Sequence, residues 1–270
     1  MPSAHEDFLI PGIWLLYFPI SEEHRISNVN YLSSCGSTDY YMNISEINRK
    51  KVLIRWNNIH ESEKKFIFNH ASKHRHLKAR IHGYLCGDGS VSRRKEIANG
   101  KVHNEIRFYP DHITMASSFL DAFNQVYGKR LRMKERKNHY LVSVNSKIIV
   151  NDLLKDGPFS SMNWHVPDWV MRDQENAKEW LRAFFDSEAY VNAREIRVQS
   201  VNRMGLHQVK IMLERFGISS GEYSYKRKNN RWNINYHLVI SGQVNRCNFL
   251  KRVGFNHIKK LNRLLDADVA

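Results

Sequence analysis

Two short apolar stretches, about a hundred residues apart, carry small residues at the same spacing. Residues 81–90 include Gly83 and Gly87, and residues 181–190 include Ala183 and Ser187. Residues four apart lie on one face of a helix, so each stretch predicts a helix with a strip of small side chains. Two helices of this kind can pack almost backbone to backbone. The chain is therefore expected to fold around one close contact between these two helices.

An acidic residue ends each stretch, Asp88 in the first and Glu188 in the second. If the two helices pack through their small faces, both carboxylates meet at one end of the interface. Neighbouring carboxylates repel each other, and a divalent cation that prefers oxygen ligands, such as Mg²⁺, removes that repulsion. The pair of acids therefore predicts a metal site.

The two stretches resemble the paired motifs of LAGLIDADG homing endonucleases in their single-chain, two-repeat form. The family's metal-binding acid stands at the eighth motif position, which matches Asp88 and Glu188. The sixth position, often Asp in the family, is Cys86 in the first copy and Asp186 in the second. This resemblance covers roughly residues 77–265.

The composition favours a polyanionic partner. Lys and Arg number 42 against 27 Asp and Glu, which leaves a net charge of +15 in 270 residues. A surplus of this size points to nucleic acid or an anionic membrane. The three cysteines are scattered, which argues against a disulfide framework and a cysteine zinc site. The longest apolar run, residues 8–20, is too short to span a bilayer, and we expect a packed N-terminal arm or strand there rather than a targeting segment.

The pattern after each motif predicts a repeated order of helix, strand, strand, helix, strand, strand, helix. The predicted strands of the first repeat are 90–97, 102–109, 130–136 and 139–144, and those of the second are 190–194, 197–201, 222–228 and 232–240. We predict an N-terminal extension over 1–75, with helices starting at Ile44 (Ser45 as N-cap) and at Ser62, followed by repeats over 76–165 and 166–270. The predicted fold class is α+β, two αββαββα repeats related by a pseudo-twofold axis. The resemblance implies a saddle of two antiparallel sheets.

Alternation along the strands separates two faces of each sheet. In the first sheet, apolar residues are expected to face the helices: Val91, Ile106, Phe108, Tyr140, Val142 and Val144. The opposite face then carries side chains that can read base edges in a DNA groove. These are Ser92, Arg94, Glu96, His103, Glu105, Arg107, Arg132, Lys134, Arg136 and Ser143 in the first sheet, and Asn192, Arg194, Arg197, Gln199, Ser224, Lys226, Asn233, Asn235 and His237 in the second. Two basic stretches, 129–137 and 226–231, occupy matching places and predict phosphate contacts.

The resemblance implies metal-dependent hydrolysis of a phosphodiester bond in each strand of double-stranded DNA. Asp88 and Glu188 would hold Mg²⁺, for which Mn²⁺ would substitute, and would be catalytic together with a basic residue near the scissile phosphate. That residue is predicted to be Lys260, with Lys259 as the second choice. The corresponding segment of the first repeat, residues 160–163, contains no lysine, so unequal cleavage of the two strands is an open question.

Two other readings remain at this stage. Some relatives keep the scaffold without cutting and act as intron RNA maturases or transcription regulators, but retention of both motif acids favours the enzyme. A membrane-surface protein would need a basic amphipathic helix with a strong apolar face, and none is evident. We expect a monomer that binds double-stranded DNA, with intron RNA as the alternative partner and no membrane. The chain lacks the terminal His-Asn pair that protein splicing requires, so we do not expect an intein-embedded form. A cytoplasmic location in a prokaryotic, archaeal host is favoured over an organellar one.

Overall fold

The computed structural model describes residues 44–70, 73–98, 100–226 and 233–269. Contacts within the chain divide it into two compact units, residues 1–51 and 52–270. Residues 44–51 of the first unit form the start of helix α1, which runs over Ile44–His70. The apolar run over residues 8–20 lies outside the described residues.

The first repeat has the predicted order of elements. After α1 these are α2 (Arg75–Cys86), β1 (Gly89–Lys95), β2 (Val102–Phe108), α3 (Ile113–Tyr127), β3 (Met133–Glu135), β4 (Tyr140–Asn145) and α4 (Lys147–Leu154). Local sequence explains several boundaries. Gly128 ends α3 in the left-handed conformation, with φ of 63°, and the Ser146 hydroxyl accepts from the backbone N–H of Ile149 at the start of α4.

The second repeat follows the same order with two additions. It contains α5 (Asp168–Arg172), α6 (Gln174–Glu188), β5 (Tyr190–Val191), β6 (Glu195–Ser200), α7 (Arg203–Arg215), β7 (Gly221–Tyr225), β8 (Asn235–Ser241), α8 (Gln243–Arg252) and α9 (Ile258–Val269). The short α5 and the C-terminal α9 were not predicted from the sequence. None of the helices in the described ranges is long and apolar enough to cross a membrane.

Each repeat contributes one antiparallel sheet of four strands. The strand orders are β1-β2-β4-β3 and β5-β6-β8-β7, so the two sheets have the same topology. The predicted α+β class with two antiparallel sheets is confirmed. The proposed division at residues 75/76 and 165/166 stays a prediction.

Helices α2 and α6 form the predicted contact between the repeats. A Cβ atom added at Gly83 would lie 2.5 Å from the carbonyl oxygen of Trp180 and 3.1 Å from Ala183 Cβ. One added at Gly87 would lie 2.5 Å from Ser187 Cβ. The two backbones therefore approach so closely that glycine is required on the α2 side.

The core is continuous across this contact. Ile106, Phe108 and Val142 are buried on the helix-facing side of the first sheet, and Val198 and Leu238 are buried in the second. Buried residues of both repeats form one cluster with α2 and α6 at its centre. Among the residues predicted to face the helices, Val91 and Tyr140 are partly buried.

The prediction of two helices before the first motif was wrong. Residues 44–70 form one helix, α1, and Ser62 lies within it. The Ser62 hydroxyl donates to the carbonyl oxygen of Ile59, at 2.8 Å, in the preceding turn. A serine that bonds back in this way is compatible with a helix interior, so it does not act as a cap.

Candidate active site and nucleic-acid face

The two motif acids lie together where α2 and α6 end. Glu188 is the last residue of α6, and Asp88 follows the end of α2 by two residues. A Cβ atom at Gly87 would be 3.4 Å from Glu188 Cγ, so the last turn of one helix touches the acid of the other. The helix contact therefore brings one carboxylate from each repeat into a shared site.

Burial and mutual repulsion make these carboxylates costly to ionise. Burial raises the pKa of Asp88, an effect that the nearby Lys260 ammonium opposes. Burial, and then the charge of Asp88, raise the pKa of Glu188 to about 7. A bound divalent cation would stabilise both ionised forms.

The donor set fits a divalent metal held by Asp88 and Glu188. Both are hard oxygen ligands, and burial is the main cause that raises the pKa of each. The described residues contain no cluster of three or more His, Cys, Asp or Glu side chains suited to a metal. Water and phosphate oxygens would supply the remaining ligands, as is usual for Mg²⁺.

Lys260 of α9 lies beside these acids. Its Nζ donates to the carbonyl oxygens of Asp186 and Ser187, at 2.5 and 3.1 Å, and lies 3.4 Å from that of Phe185. Burial lowers the pKa of Lys260, while four surrounding carboxylates, Asp88 and Glu188 among them, act in the opposite direction. The ammonium therefore caps the C-terminal end of α6 and adds a positive charge next to the candidate metal site.

Asp186 anchors the segment that carries Lys260. Its carboxylate accepts from the backbone N–H groups of Asn256 and His257, each at 2.9 Å, and from the Tyr84 hydroxyl, also at 2.9 Å. Burial raises its pKa to about 6, and these hydrogen bonds oppose the shift. The sixth motif position therefore acts as a structural tie between the two repeats.

A second tie holds the same segment to the first repeat. His257 Nε2 is 3.2 Å from Asp111 Oδ1, and the His257 ring stacks on His112 with centroids 4.9 Å apart. The hydrogen bond from His257 is the main cause that lowers the pKa of Asp111. Sequence reasoning missed these residues, because they meet only when the end of the second repeat packs against α3 of the first.

The corresponding place in the first repeat is a cavity. It has a volume of about 330 Å³ and lies at the end of α2. Its lining includes Cys86, Gly87, Ser161, Glu188, Gln199 and Asn235. Residues 160–163 pass this cavity without a lysine, as the sequence predicted.

The open faces of the two sheets carry most of the predicted polar side chains. We use open face for the side of each sheet that points away from the helices. Strand pairing puts the following on these faces: Ser92, Arg94, His103, Glu105, Arg107, Lys134 and Ser143 in the first sheet, and Arg197, Gln199, Asn235 and His237 in the second. Several carry local ion pairs, such as Arg107 with Glu105 at 2.7 Å.

The predicted face of β7 was wrong. Ser224 pairs with Tyr236 and so shares the helix-facing side, whereas Tyr223 and Tyr225 pair with His237 and Asn235 of the open face. A register difference of one residue moves every side chain of a strand to the other face. The exposed rings of Tyr223 and Tyr225 therefore belong to the open face of the second sheet.

The remaining predicted contact residues lie in connections rather than strands: Glu96, Arg132, Arg136, Asn192, Arg194, Lys226 and Asn233. The Asn192 side chain accepts from the backbone N–H groups of Arg194 and Glu195, so it stabilises the turn before β6. In the first basic stretch, Lys129 pairs with Glu63 at 2.9 Å. Residues 227–231 of the second stretch lie outside the described residues.

Similarity to known proteins agrees with this architecture. Residues 175–254 match the family model described as a LAGLIDADG-like domain. A structure of mesophilic variants of the homing endonuclease I-DmoI has a TM-score of 0.55 and 12% identity, covering 67% of this chain and 96% of that one. I-DmoI in complex with DNA and Mn gives a TM-score of 0.54 at 12% identity, covering 67% and 97%.

The fold and the paired acids define a duplicated α+β protein built on two touching motif helices. Most of the second repeat matches the model of a LAGLIDADG-like domain, and the chain has the LAGLIDADG fold over both repeats.

Curated relatives share this segment inside much longer chains. Glutamine–fructose-6-phosphate aminotransferase of Methanocaldococcus jannaschii is 25% identical over 195 residues, which cover 68% of this chain and 17% of that protein. The replication factor C small subunit of Thermococcus kodakarensis is 27% identical over 188 residues, which cover 68% and 20%. The chain thus spans about a fifth or less of these relatives.

Proposed function

We propose that the protein is a site-specific endonuclease of the homing type, which cuts both strands of double-stranded DNA as a monomer. The observation that supports this proposal most is the pair of acids, Asp88 and Glu188, held side by side by the contact of α2 and α6. A structural role alone does not explain two partly buried carboxylates with raised pKa values, of which Asp88 adds to the shift of Glu188.

Each part of the site has a role in this proposal. A divalent cation, Mg²⁺ or Mn²⁺, supplies Lewis-acid stabilisation of the phosphate and lowers the pKa of the attacking water when it is bound. Asp88 and Glu188 would hold this cation, with one acid supplied by each repeat. The Lys260 ammonium stabilises negative charge that develops on the phosphate nearest to α9.

The open faces supply DNA binding in this proposal. Arg94, Arg107, Arg197 and Gln199 are of the residue types that contact base edges and phosphates. The net charge of +15 favours binding to a polyanion. Relatives named for an aminotransferase and a replication factor share only this segment, which favours an activity independent of those names.

The decisive experiment is incubation of the protein with a randomised duplex library and Mg²⁺, followed by sequencing of the cut ends. We expect one preferred site with ends produced in both strands and no cutting when the metal is chelated. Absence of any cut ends after prolonged incubation, in Mg²⁺ and in Mn²⁺, would contradict the proposal.

A second candidate function is nucleic-acid binding without cleavage, as an RNA maturase or a transcription regulator. The cavity at the end of α2 favours it, because none of the described residues that line this cavity is a lysine. Tight binding to a selected duplex or to intron RNA, with no cutting in either metal, would establish this second function.

A further inference from the structure

A cleft lies at the end of the first sheet that is farthest from the acids. Strand pairing joins Gly89 to Phe108 at the acid end and Lys95 to Val102 at the other end. β1 has seven residues, so the two ends are about 20 Å apart at about 3.3 Å per residue. The cleft has a volume of about 420 Å³ and opens where β2 begins and β4 ends.

Helix α1 forms one wall of this cleft and is fastened to the first repeat. Glu63 accepts from Lys129 Nζ at 2.9 Å and from the Ser146 hydroxyl at 2.7 Å. A Cβ atom at Gly128 would lie 2.8 Å from the Phe66 ring, so α1 also packs closely against the end of α3. These contacts hold the preceding turns of α1 beside the sheet.

The cleft has the chemistry of a phosphate-binding surface. Its lining contains three lysines, Lys101, Lys129 and Lys147, against one acid, Glu63, which is already paired with Lys129. Trp56 is half exposed in the same cleft. Its indole N–H can donate to a phosphate oxygen, and its ring can pack on a sugar.

The cleft is continuous with the open face of the first sheet. His103 and Asn145 line the cleft, and both belong to that open face, since they pair with Arg94 and Glu105. A duplex that lies along the open face therefore reaches the cleft about six base pairs from the acids, at about 3.4 Å per base pair.

The second repeat lacks an equivalent wall in the described part of the chain. The helix before its motif helix is α5, which has five residues, Asp168–Arg172. At the matching end of its sheet, Arg246 of α8 donates to the carbonyl oxygen of Ala193 at 2.6 Å. Within the described residues, the extra surface thus lies on the first repeat's side.

We propose that α1 and the end of the first sheet bind the phosphate backbone of duplex DNA flanking the site, on the first repeat's side only. This inference rests on the proposed function, because it requires DNA along the open face. With α1 bound in this way, the protein covers a longer stretch of DNA on one side of the site than the two repeats alone would cover.

The test uses the full chain and the duplex selected from the random library. One flank or the other is shortened by about ten base pairs, one helical turn, and the dissociation constant is measured by titration. We expect shortening of one flank to weaken binding about tenfold and shortening of the other to have little effect. Equal effects of the two flanks, or none, would overturn the inference.

Variants connect the sensitive flank to the cleft. Lys147→Ala and Trp56→Ala should each weaken binding to the long duplex about three- to tenfold and leave binding to the duplex without the sensitive flank unchanged. Lys147→Ala should also lower the slope of log affinity against log salt by about one. Lys251→Ala, the same charge change at an exposed position of α8, is the control and should alter neither quantity.

The possible results separate the two proposals. A protein that cuts its site with no dependence on either flank, or with unchanged flank dependence in Lys147→Ala, contradicts only the inference about α1. A protein that binds no duplex contradicts the proposed function. If Lys147→Ala weakens binding to RNA but not to the long DNA duplex, the cleft binds RNA and the inference fails. Thermal unfolding checks that Trp56→Ala and the milder Trp56→Phe remain folded.

Discussion

The two ends of the paired motif helices differ in what fills the space beside the last turn. At the end of α6, the Lys260 ammonium contacts three backbone carbonyl groups. At the end of α2, the corresponding space is a cavity lined in part by Cys86 and Ser161. The acids themselves, Asp88 and Glu188, occupy matching positions.

This difference shows which residues the packing of α2 on α6 requires and which residues it does not determine. Gly83 and Ala183 are restricted to small residues because their Cβ positions meet the opposite helix. A lysine beside the acids has no such constraint from packing, since a cavity satisfies the fold equally well. The two repeats therefore share a close helix contact but differ in the charge next to each acid.

The largest effect is expected for the two motif acids, which occupy matching positions in the two repeats. Asp88→Asn and Glu188→Gln should each lower cleavage of both strands by at least about 10²–10³-fold, because each removes a charged metal ligand and keeps its shape. DNA binding should stay the same or tighten, since a carboxylate that repels phosphate is lost. Strand-specific cleavage and binding assays measure both. Asp168→Asn, at an exposed acid, is the control. A variant that cuts one strand at the parent rate would show that the acids are not shared.

The next largest effect concerns the difference between Lys260 at the end of α6 and the cavity at the end of α2. We expect the two strands to be cut at rates that differ about tenfold or more, with nicked DNA accumulating. Among the described residues, Lys260 places an ammonium at the end of α6, whereas no lysine lines the cavity at the end of α2. Lys260→Met should slow the faster strand and reduce the difference, and Ser161→Lys should accelerate the slower strand. Neighbouring Lys259→Met, at an exposed position, should change neither rate. Equal rates in the parent protein would remove the functional meaning of the cavity.

A smaller effect concerns the contact between α2 and α6. The sign of the change in the free energy of unfolding tests this contact. Helix propensity alone predicts that Gly83→Ala raises the free energy of unfolding by about 1 kcal/mol. The carbonyl oxygen of Trp180, 2.5 Å from the added Cβ atom, predicts instead a loss of about 1–3 kcal/mol. Denaturant unfolding decides between them, and adding Ala183→Gly should recover part of the loss. Stabilisation by Gly83→Ala would contradict the close contact.

The smallest effect involves His82, which α2 carries where α6 has Arg182. Burial, and then the charges of His165 and Lys78, lower the pKa of His82 to about 3, and its Nδ1 accepts from Trp180 Nε1 at 3.0 Å. The pKa of His82 in the unfolded chain is about 6.5. The stability that neutral His82 contributes is therefore present above that pH and is lost as the pH falls toward 3.

At pH 6 the lowered pKa of His82 should reduce the free energy of unfolding by about 1 kcal/mol relative to pH 7.5. His82→Gln keeps an acceptor for the Trp180 N–H and should lack this part of the pH dependence. The comparison uses the free energy of unfolding of both proteins at both pH values, so that other titrating groups cancel. Identical pH dependence in the two proteins would show that the pKa of His82 is the same in the folded and the unfolded chain.

The sequence by itself determined the helix contact and the acids. The four-residue spacing of small side chains and the repeated acid are local patterns, and they predicted that Gly83, Gly87, Ala183 and Ser187 meet. Strand alternation predicted the buried residues Ile106, Phe108 and Val142 of the first sheet. These predictions succeeded because backbone periodicity alone decides which residues share a face.

Only the tertiary structure decided what surrounds those acids. The face of β7 depends on its pairing with β8, which no local pattern specifies, so Tyr223 and Tyr225 were missed. Lys260 reaches the last turn of α6 because Asp186 and Asp111 hold the preceding segment against both repeats. The cavity at the end of α2 and the cleft beside α1 likewise exist only once distant segments pack together, because an empty volume is a property of the assembled chain.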